Sequence, residues 1–383
     1  DNLKTTTINN LTLPTEYNLY AFNGSTITTT NFTNSKENAQ FIVQNSSFTA
    51  DKITFEKNAF MALDNQGKLT LTGDLQTQGL NLNLSNSSTM SINSFKSTGE
   101  TSLIIKQGST LKTTGDMSFD KATIKLANDK SNLNANNLTL NEKSSIILDD
   151  KATLTLENAL SSKDLTLTLE NESKFTANTL TASGVVKLQG DKNATLTLDT
   201  LNLNGANTAN LNGVTSTIGT LNLTQTSQAN IGENVSITTL TLQESTANLQ
   251  VLNTKLPQSI TLNEKSNLYF NELNLNTNGL TLTSDDSSQA HIRKLIYDAK
   301  STQTNGAKTA PQSNLSVSEL FKLDNVGTNL GTTQGTEQEK LNKDLLALEF
   351  GKTLTLQSSA TLQVSFADIV KKDSKDLIFD KDY

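Results

Sequence analysis

The chain of 383 residues contains no cysteine and no tryptophan, three prolines, and one histidine, His291. Each shortage excludes something. Without Cys there is neither a disulfide framework nor a thiolate zinc site. The absence has two even readings: the chain simply lacks Cys, or it avoids thiols that would cross-link early in an oxidising compartment. His291 has no Ser elbow and no H-E-x-x-H motif around it, so a His-based triad or zinc-protease site lacks its parts and a structural histidine is the simpler reading. Arg293 is the sole arginine, and the net charge is −7 with a pI of about 5.0. Phosphate clamping and base readout depend on Arg and basic patches, so no nucleic-acid partner is expected. No apolar run reaches the ~18 residues of a membrane helix. The sequence starts at Asp1 without a signal-peptide h-region and reads as a mature or excised fragment.

What is present is polar but largely uncharged. Hydrophobic residues make up 34% of the chain and charged ones only 18%, so Asn, Thr, Ser and Gln carry the polarity and charge-driven disorder is not expected. These residues recur in phrases: TLNLNGANTANLNG from Thr200, TLNLTQTSQANIGE from Thr220, TLTLQESTANLQ from Thr239 and SITLNEKSNLYF from Ser259. Aligned on Leu201, Leu221, Leu240, Ile260 and Leu280, they repeat about every 20 residues, a solenoid period. Second anchors follow at Leu211, Ile231, Leu249 and Leu268, and a weaker third runs from Val214 to Ile218 and from Val235 to Ile237. Within each phrase the alternation is strict, as in Thr220-Leu221-Asn222-Leu223-Thr224, so leucines share one face of a strand and Thr and Asn the other. Strands this short bury their leucines only by stacking turn on turn, which predicts an all-β fold, a right-handed parallel β-helix.

The same grammar extends upstream. Leu69 to Leu71, Leu80 to Leu84, Leu138 to Leu140, Leu154 to Leu156 and Leu165 to Leu169 repeat it, and LTLNEKSSIIL from Leu138 nearly duplicates ITLNEKSNLYF from Ile260. Phe41, Phe48, Phe55 and Phe60 predict rungs of irregular length near the N-terminal end. Residues 298–314 read as a long polar loop. Ser316 with Glu319 and Thr336 with Glu339 read as capping boxes opening two helices, with Gly351 as a stop. Rung grammar resumes at Thr353 to Leu356 and Thr361 to Val364. The expected organisation is therefore a shaft over 1–297, a loop and helical insertion over 298–350, and resumed rungs over 351–383.

Chemistry is harder to find. The paired carboxylates Asp149-Asp150 and Asp285-Asp286 are the candidates for acid and base work of the kind that polysaccharide-active β-helices perform, but neighbours on a strand point to opposite faces and those in a turn are solvated. Neither pair has an EF-hand or glycine-rich calcium context. No catalytic, cofactor or metal residue is assigned. Sequons such as Asn10-Leu11-Thr12 and Asn31-Phe32-Thr33 are expected by chance in so Asn-rich a chain. The outward residues Thr200, Asn202, Thr220, Asn222, Thr239, Thr241, Ser259 and Thr261 should stack as polar ladders, which hydrogen-bond along the stack and can be purely structural. Thr70-Leu71-Thr72 and Thr239-Leu240-Thr241 match the Thr-x-Thr motif of ice-binding faces, but the aligned rungs do not keep it.

The Leu-x-Leu rungs, the Asn, Thr and Ser richness, the missing cysteines and the wording NLTLNEKSSIIL, TLNLNGANTANLNG and TLTLQESTANLQ resemble the passenger domains of bacterial autotransporters, in particular the vacuolating-cytotoxin-like autotransporters of Helicobacter. The closing LQVSFADIV and DLIFDKDY are similar to the segment by which such passengers enter later coils. The resemblance implies a signal peptide upstream, an outer-membrane β-barrel downstream as a partner in the full-length protein, and display at the cell surface or secretion after export. It implies a non-enzymatic, adhesin-like colonisation factor that contacts a host cell-surface protein or glycan; because loops that interrupt a rigid shaft concentrate function, residues 298–350 are the expected contact region ahead of the outward ladders. The alternatives are the receptor-binding segment of a vacuolating pore-forming toxin and, third, a polysaccharide-active enzyme. Residues 1–40 contain no hydrophobic run of the kind the toxin uses to form pores.

Overall fold

The computed structural model describes residues 5–205, 207–249 and 259–270, and beyond them the segments 273–274, 281–284, 287–292, 295–296, 315–317, 321–322, 354–356 and 362–363. All regular structure among these residues is β-strand, and the chain divides into two compact units, Asp1–Thr217 and Ile218–Tyr383. Each is a stack of parallel strands, so the β-solenoid expected from the repeats is the fold.

In the first unit each turn lays down three strand segments, which build three faces. Face A carries 26–29 of strand Thr26–Asn34, then 47–50 of strand Ser47–Phe55, then Lys68–Leu71, Thr89–Ile92 and Thr110–Thr113. Face B follows within the same strands at 31–34 and 52–55 and continues in Asp74–Thr77 and at Leu138–Leu140 and Ala159–Ser162. Face C consists of Leu19–Ala21, Ala39–Gln44, Ala59–Asp64 and Leu80–Leu84, later joined by Ser144–Leu148 and Leu165–Leu169. The inward residues form the core: Leu69, Leu82, Leu103, Ile124, Leu133, Leu154 and Leu180 are wholly buried, each contributing about 2 kcal/mol by leaving water.

The rungs at the N-terminal end vary in length by two residues, with Leu19 paired to Phe41, Ala39 to Ala59 and Ser47 to Lys68, although the phenylalanines are not the cause. Register runs unbroken from Ser47 to Lys68 and from Ala39 to Ala59. Phe41, Phe48 and Phe55 are there to fill the core, clustering edge to face around Phe32 with ring centroids 5.3, 5.9 and 5.8 Å away. Phe60 points the other way and is half-exposed.

Two residue types account for the turns. Asn23, Asn45, Asn65, Asn86, Asn128 and Asn171 all adopt φ between 45° and 57° in the corner between faces C and A. Asn tolerates this left-handed conformation better than other residues with a side chain, which explains much of the Asn content. Beside that corner stands an inward column of small residues, Ser25, Ser46, Gly67, Ser88, Ser109, Ser131, Ala152, Ser173 and Ala194, each of whose carbonyls accepts the N–H that opens the next face-A strand. The hydroxyls join in: the Ser88 N–H donates to Ser109 Oγ at 3.1 Å and Ser131 Oγ donates to the Ala127 carbonyl at 2.8 Å. At Gly67 a side chain is impossible, because a Cβ there would lie 2.2 Å from the Val43 carbonyl oxygen.

In the second unit Leu240 pairs with Ile260 and Ile260 with Leu282, so Leu282 takes the register position expected of Leu280. Likewise Ile231 pairs with Leu249 and Leu249 with Phe270, which displaces Leu268 to a position opposite Ala247. Leucine spacing counts turn residues as well as strand residues, and turns of unequal length shift the count by two without changing the inward face. A second serine column, Ser227, Ser245, Ser266 and Ser288, is buried here, with the Ser245 N–H donating to Ser266 Oγ and the Ser266 N–H to Ser288 Oγ.

The first of the two expected helices is corrected. Ser316 lies within strand Leu315–Val317, which pairs in parallel with Leu354–Leu356, and Phe321 opens strand Phe321–Lys322, paired with Leu362–Gln363. The period-two pattern Leu-Ser-Val, with a β-branched residue and a partner strand to pair with, outweighs a capping signal four residues long. The second expected helix, from Thr336, and the loop over 298–314 lie outside the described residues.

Candidate functional site

The polar ladders form in register. Thr239 pairs with Ser259 and Ser259 with Thr281, while Thr241, Thr261 and Thr283 make a parallel row. Asn202 Nδ2 donates to Thr181 Oγ1 at 3.2 Å across one rung, and Asn158 Nδ2 to Asn136 Oδ1 at 2.6 Å. These bonds run along the stack, the structural use of such ladders. Thr-x-Thr pairs are in fact densest on face A, at Thr5/Thr7, Thr26/Thr28, Ser47/Thr49, Thr153/Thr155 and Thr195/Thr197, but Lys68, Lys112 and Lys174 and the pair Asn132/Asn134 interrupt them. A lattice-matched plane is not continuous.

The carboxylate candidates are turn partners. Asp149 accepts from Asn171 Nδ2 at 2.7 Å, one rung onward, and Asp150 accepts the Asp129 N–H at 3.1 Å, one rung back, so the two side chains serve different neighbours. Asp285-Asp286 lies outside the described residues. His291 sits in strand Gln289–Ile292 opposite Tyr269. Among the described residues no three of His, Asp and Glu gather as metal ligands would. Two acids of the first unit are tuned by turn bonds. Burial pushes Asp64 up, but the Ser85 hydroxyl at 2.8 Å, the Asn86 amide at 2.7 Å, the Asn65 N–H and the charge of Lys106 outweigh it and hold the acid below the ordinary 3.8. The Asn171 N–H at 2.7 Å, against a small desolvation effect and with help from the N–H groups of Asn193 and Ala194, holds Asp191 low in the same way. Both shifts are those of turn caps.

What distinguishes one part of the surface is aromatic. Among the described residues the large hydrophobic side chains that are exposed are Tyr17 at 57%, Tyr20 at 46%, Phe22 at 41% and Val185 at 68%. Three of the four fall within six residues of chain. The rings of Tyr20 and Phe22 are near-parallel, 18° apart, with centroids 5.9 Å apart.

Neighbouring rungs of face C extend the patch. Tyr20 pairs with Ile42 and Ile42 with Ala62, all outward, while Gln40 pairs with Phe60 and Phe60 with Asn81. Ile42, Phe60 and Ala62 are half-buried. The Tyr20 hydroxyl donates to Gln40 Oε1 at 2.5 Å and accepts from Asn18 Nδ2 at 3.2 Å. Asn18 is itself held, its Oδ1 accepting from the Gln40 N–H at 3.0 Å and from Lys36 Nζ at 3.1 Å. Sequence reasoning missed this site and looked instead to 298–350, most of which lies outside the described residues. The available signal was the pair of strands AQFIVQ and AFMALD, which carry apolar residues on both faces where neighbouring rungs alternate.

No protein-family model, curated protein or solved structure matches the chain.

Proposed function

We propose that this chain acts by contact: it is the displayed passenger of a bacterial autotransporter, an adhesin-like colonisation factor whose aromatic patch on face C meets a host cell-surface protein or glycan. The observation that carries the reading is the placement of Tyr17, Tyr20 and Phe22 in solvent on a surface that is otherwise mostly polar and charged. Aromatic side chains are rare here, 5% of the chain, and exposing them costs burial that a core position would provide. Contiguous exposed apolar surface on a folded chain marks interaction sites. A stack in which every rung pairs with the one before it also suits a passenger that emerges progressively from an outer-membrane pore, because each rung finds a template already formed. The non-enzymatic reading agrees with the separation of Asp149 from Asp150 described above.

Binding of the purified chain to cultured host epithelial cells tests the proposal. Saturable binding by the wild type, lost in a Tyr17→Ala, Tyr20→Ala, Phe22→Ala triple variant whose β circular dichroism is unchanged, is the expected result. Binding that the triple variant retains would move the contact elsewhere, and a wild type that does not bind at all would end the contact reading.

A further inference from the structure

We infer that the patch on face C is a carbohydrate site for a neutral glycan, with Tyr20 and Phe22 as the stacking platform and the side-chain amides of Gln40 and Asn81 as hydrogen-bond donors to sugar hydroxyls. This assignment rests on the contact function proposed above and names its ligand class. Three features point to a sugar. The first is ring presentation: two near-parallel rings, each a little under half exposed, offer π faces to the C–H groups of a pyranose, an amphipathic ring that suits an amphipathic platform.

The second is the rim. The Tyr20 hydroxyl is fixed by Asn18 and Gln40, so its ring is oriented before a ligand arrives, and little side-chain entropy remains to be lost on binding. Gln40 and Asn81 are both exposed and lie on either side of Phe60 in the stack. With its Oε1 taken by Tyr20, Gln40 keeps both Nε2 hydrogens for a ligand; among the described residues they have no partner. Planar amides beside aromatic rings match the alternation of hydroxyls and C–H faces around a sugar.

The third feature is charge. The outward residues of the three rungs next to the platform are Gln40, Ile42 and Gln44, then Phe60, Ala62 and Asp64, then Asn81 and Asn83. None is cationic and one is acidic. A sialylated or sulfated glycan would meet no compensating cation on these rungs, and Asp64, held below the ordinary carboxylate value, stays ionised and repels it. Two lysines flank these rungs: Lys36, whose Nζ donates to Asn18 Oδ1 and the Glu16 carbonyl, and Lys106, whose charge already acts on Asp64. With one acid and no cation among the outward residues of the three rungs themselves, the platform favours neutral sugars.

The test uses the full chain on an array of immobilised oligosaccharides ending in galactose, glucose or N-acetylglucosamine, with sialylated and sulfated versions alongside. The expected result is binding to at least one neutral glycan that weakens about tenfold or more in Tyr20→Ala and in Phe22→Ala, weakens less in Gln40→Ala, and is unchanged in Lys174→Ala on face A. Binding confined to the charged versions, or neutral binding indifferent to both aromatic substitutions, overturns the assignment. A parallel assay on host cells separates this inference from its premise. Cell binding that survives enzymatic removal of surface glycans but is lost after protease treatment would overturn the sugar and leave the contact function standing. An absence of all cell binding would remove the contact function as well.

Discussion

Thr226 occupies a conformation that its side chain disfavours. Its φ of 66° is left-handed, and the backbone is held there because its N–H donates to the Glu244 carbonyl at 2.8 Å. A β-branched residue in this region costs about 1 to 2 kcal/mol, whereas the matching corner positions of the first unit hold unbranched residues, Gln66, Ser87, Gly108, Lys151 and Glu172. Thr226→Asn should therefore raise the urea unfolding midpoint, by about 1 kcal/mol in stability; a lower midpoint would mean that the threonine hydroxyl makes a compensating bond. The inward serine column supports a paired prediction. Ser109 Oγ accepts the Ser88 N–H, so Ser109→Ala should cost about 1 kcal/mol. Ser173 Oγ is buried without a hydrogen-bond partner, and the column has Ala152 before it and Ala194 after it. Ser173→Ala should thus be neutral within about 0.5 kcal/mol by the same unfolding measurement. Equal losses at the two positions would show that the column works through packing alone.

At the scale of strands and rungs, Phe32 and Phe60 show what one residue type does on opposite faces. Phe32 is wholly buried and touches three other rings edge to face, so Phe32→Ala should destabilise by about 3 to 5 kcal/mol. Phe60 is outward and half-exposed, and Phe60→Ala should cost about 1 kcal/mol or less; thermal unfolding of the two variants separates them. The sequence carries the strand grammar almost in full, because Leu-x-Leu with Thr or Asn between has one physical solution, an inward and an outward face. Register was legible to within two residues: Leu282 and Phe270 take the places expected of Leu280 and Leu268, since spacing does not reveal how many residues a turn consumes. The aromatic patch was not legible for a related reason. In AQFIVQ and AFMALD the outward face mixes apolar Ile42, Phe60 and Ala62 with Gln40, Gln44 and Asp64, so alternation alone does not mark an apolar patch there until the neighbouring strands fix which side is solvent. Reading Ser316 as a helix cap failed for want of the same information, the partner strand at Leu354–Leu356.

Across the whole molecule, the interactions that hold the rungs are backbone ladders, apolar burial and uncharged side-chain bonds, with little contribution from ion pairs. Among the described residues one ion pair forms, Lys121 to Glu100 at 2.9 Å, and its side chains are 50% and 77% exposed, so it adds little and is screened by salt. The melting temperature should accordingly stay nearly level between low and physiological ionic strength. Acid should act differently. Asp64 and Asp191 are held below the ordinary carboxylate value of 3.8 by the bonds they accept in the folded chain. A depressed folded pKa means that the stabilising contribution is fully present above the unfolded value and disappears as pH falls through the folded one, once both states are protonated. Stability should therefore be flat from neutral pH down to about 4 as far as these two acids are concerned, and decline below it. An Asp64→Asn, Asp191→Asn double variant should be less stable than wild type at pH 7 and should lose less on going from pH 5 to pH 2, because it has two fewer protons to take up. If instead the double variant keeps the wild-type slope below pH 4, the acid sensitivity belongs to other carboxylates. A melting temperature that climbs steeply with salt would show that repulsion among the charges summing to −7, and not the turn caps, governs how this solenoid responds to its solvent.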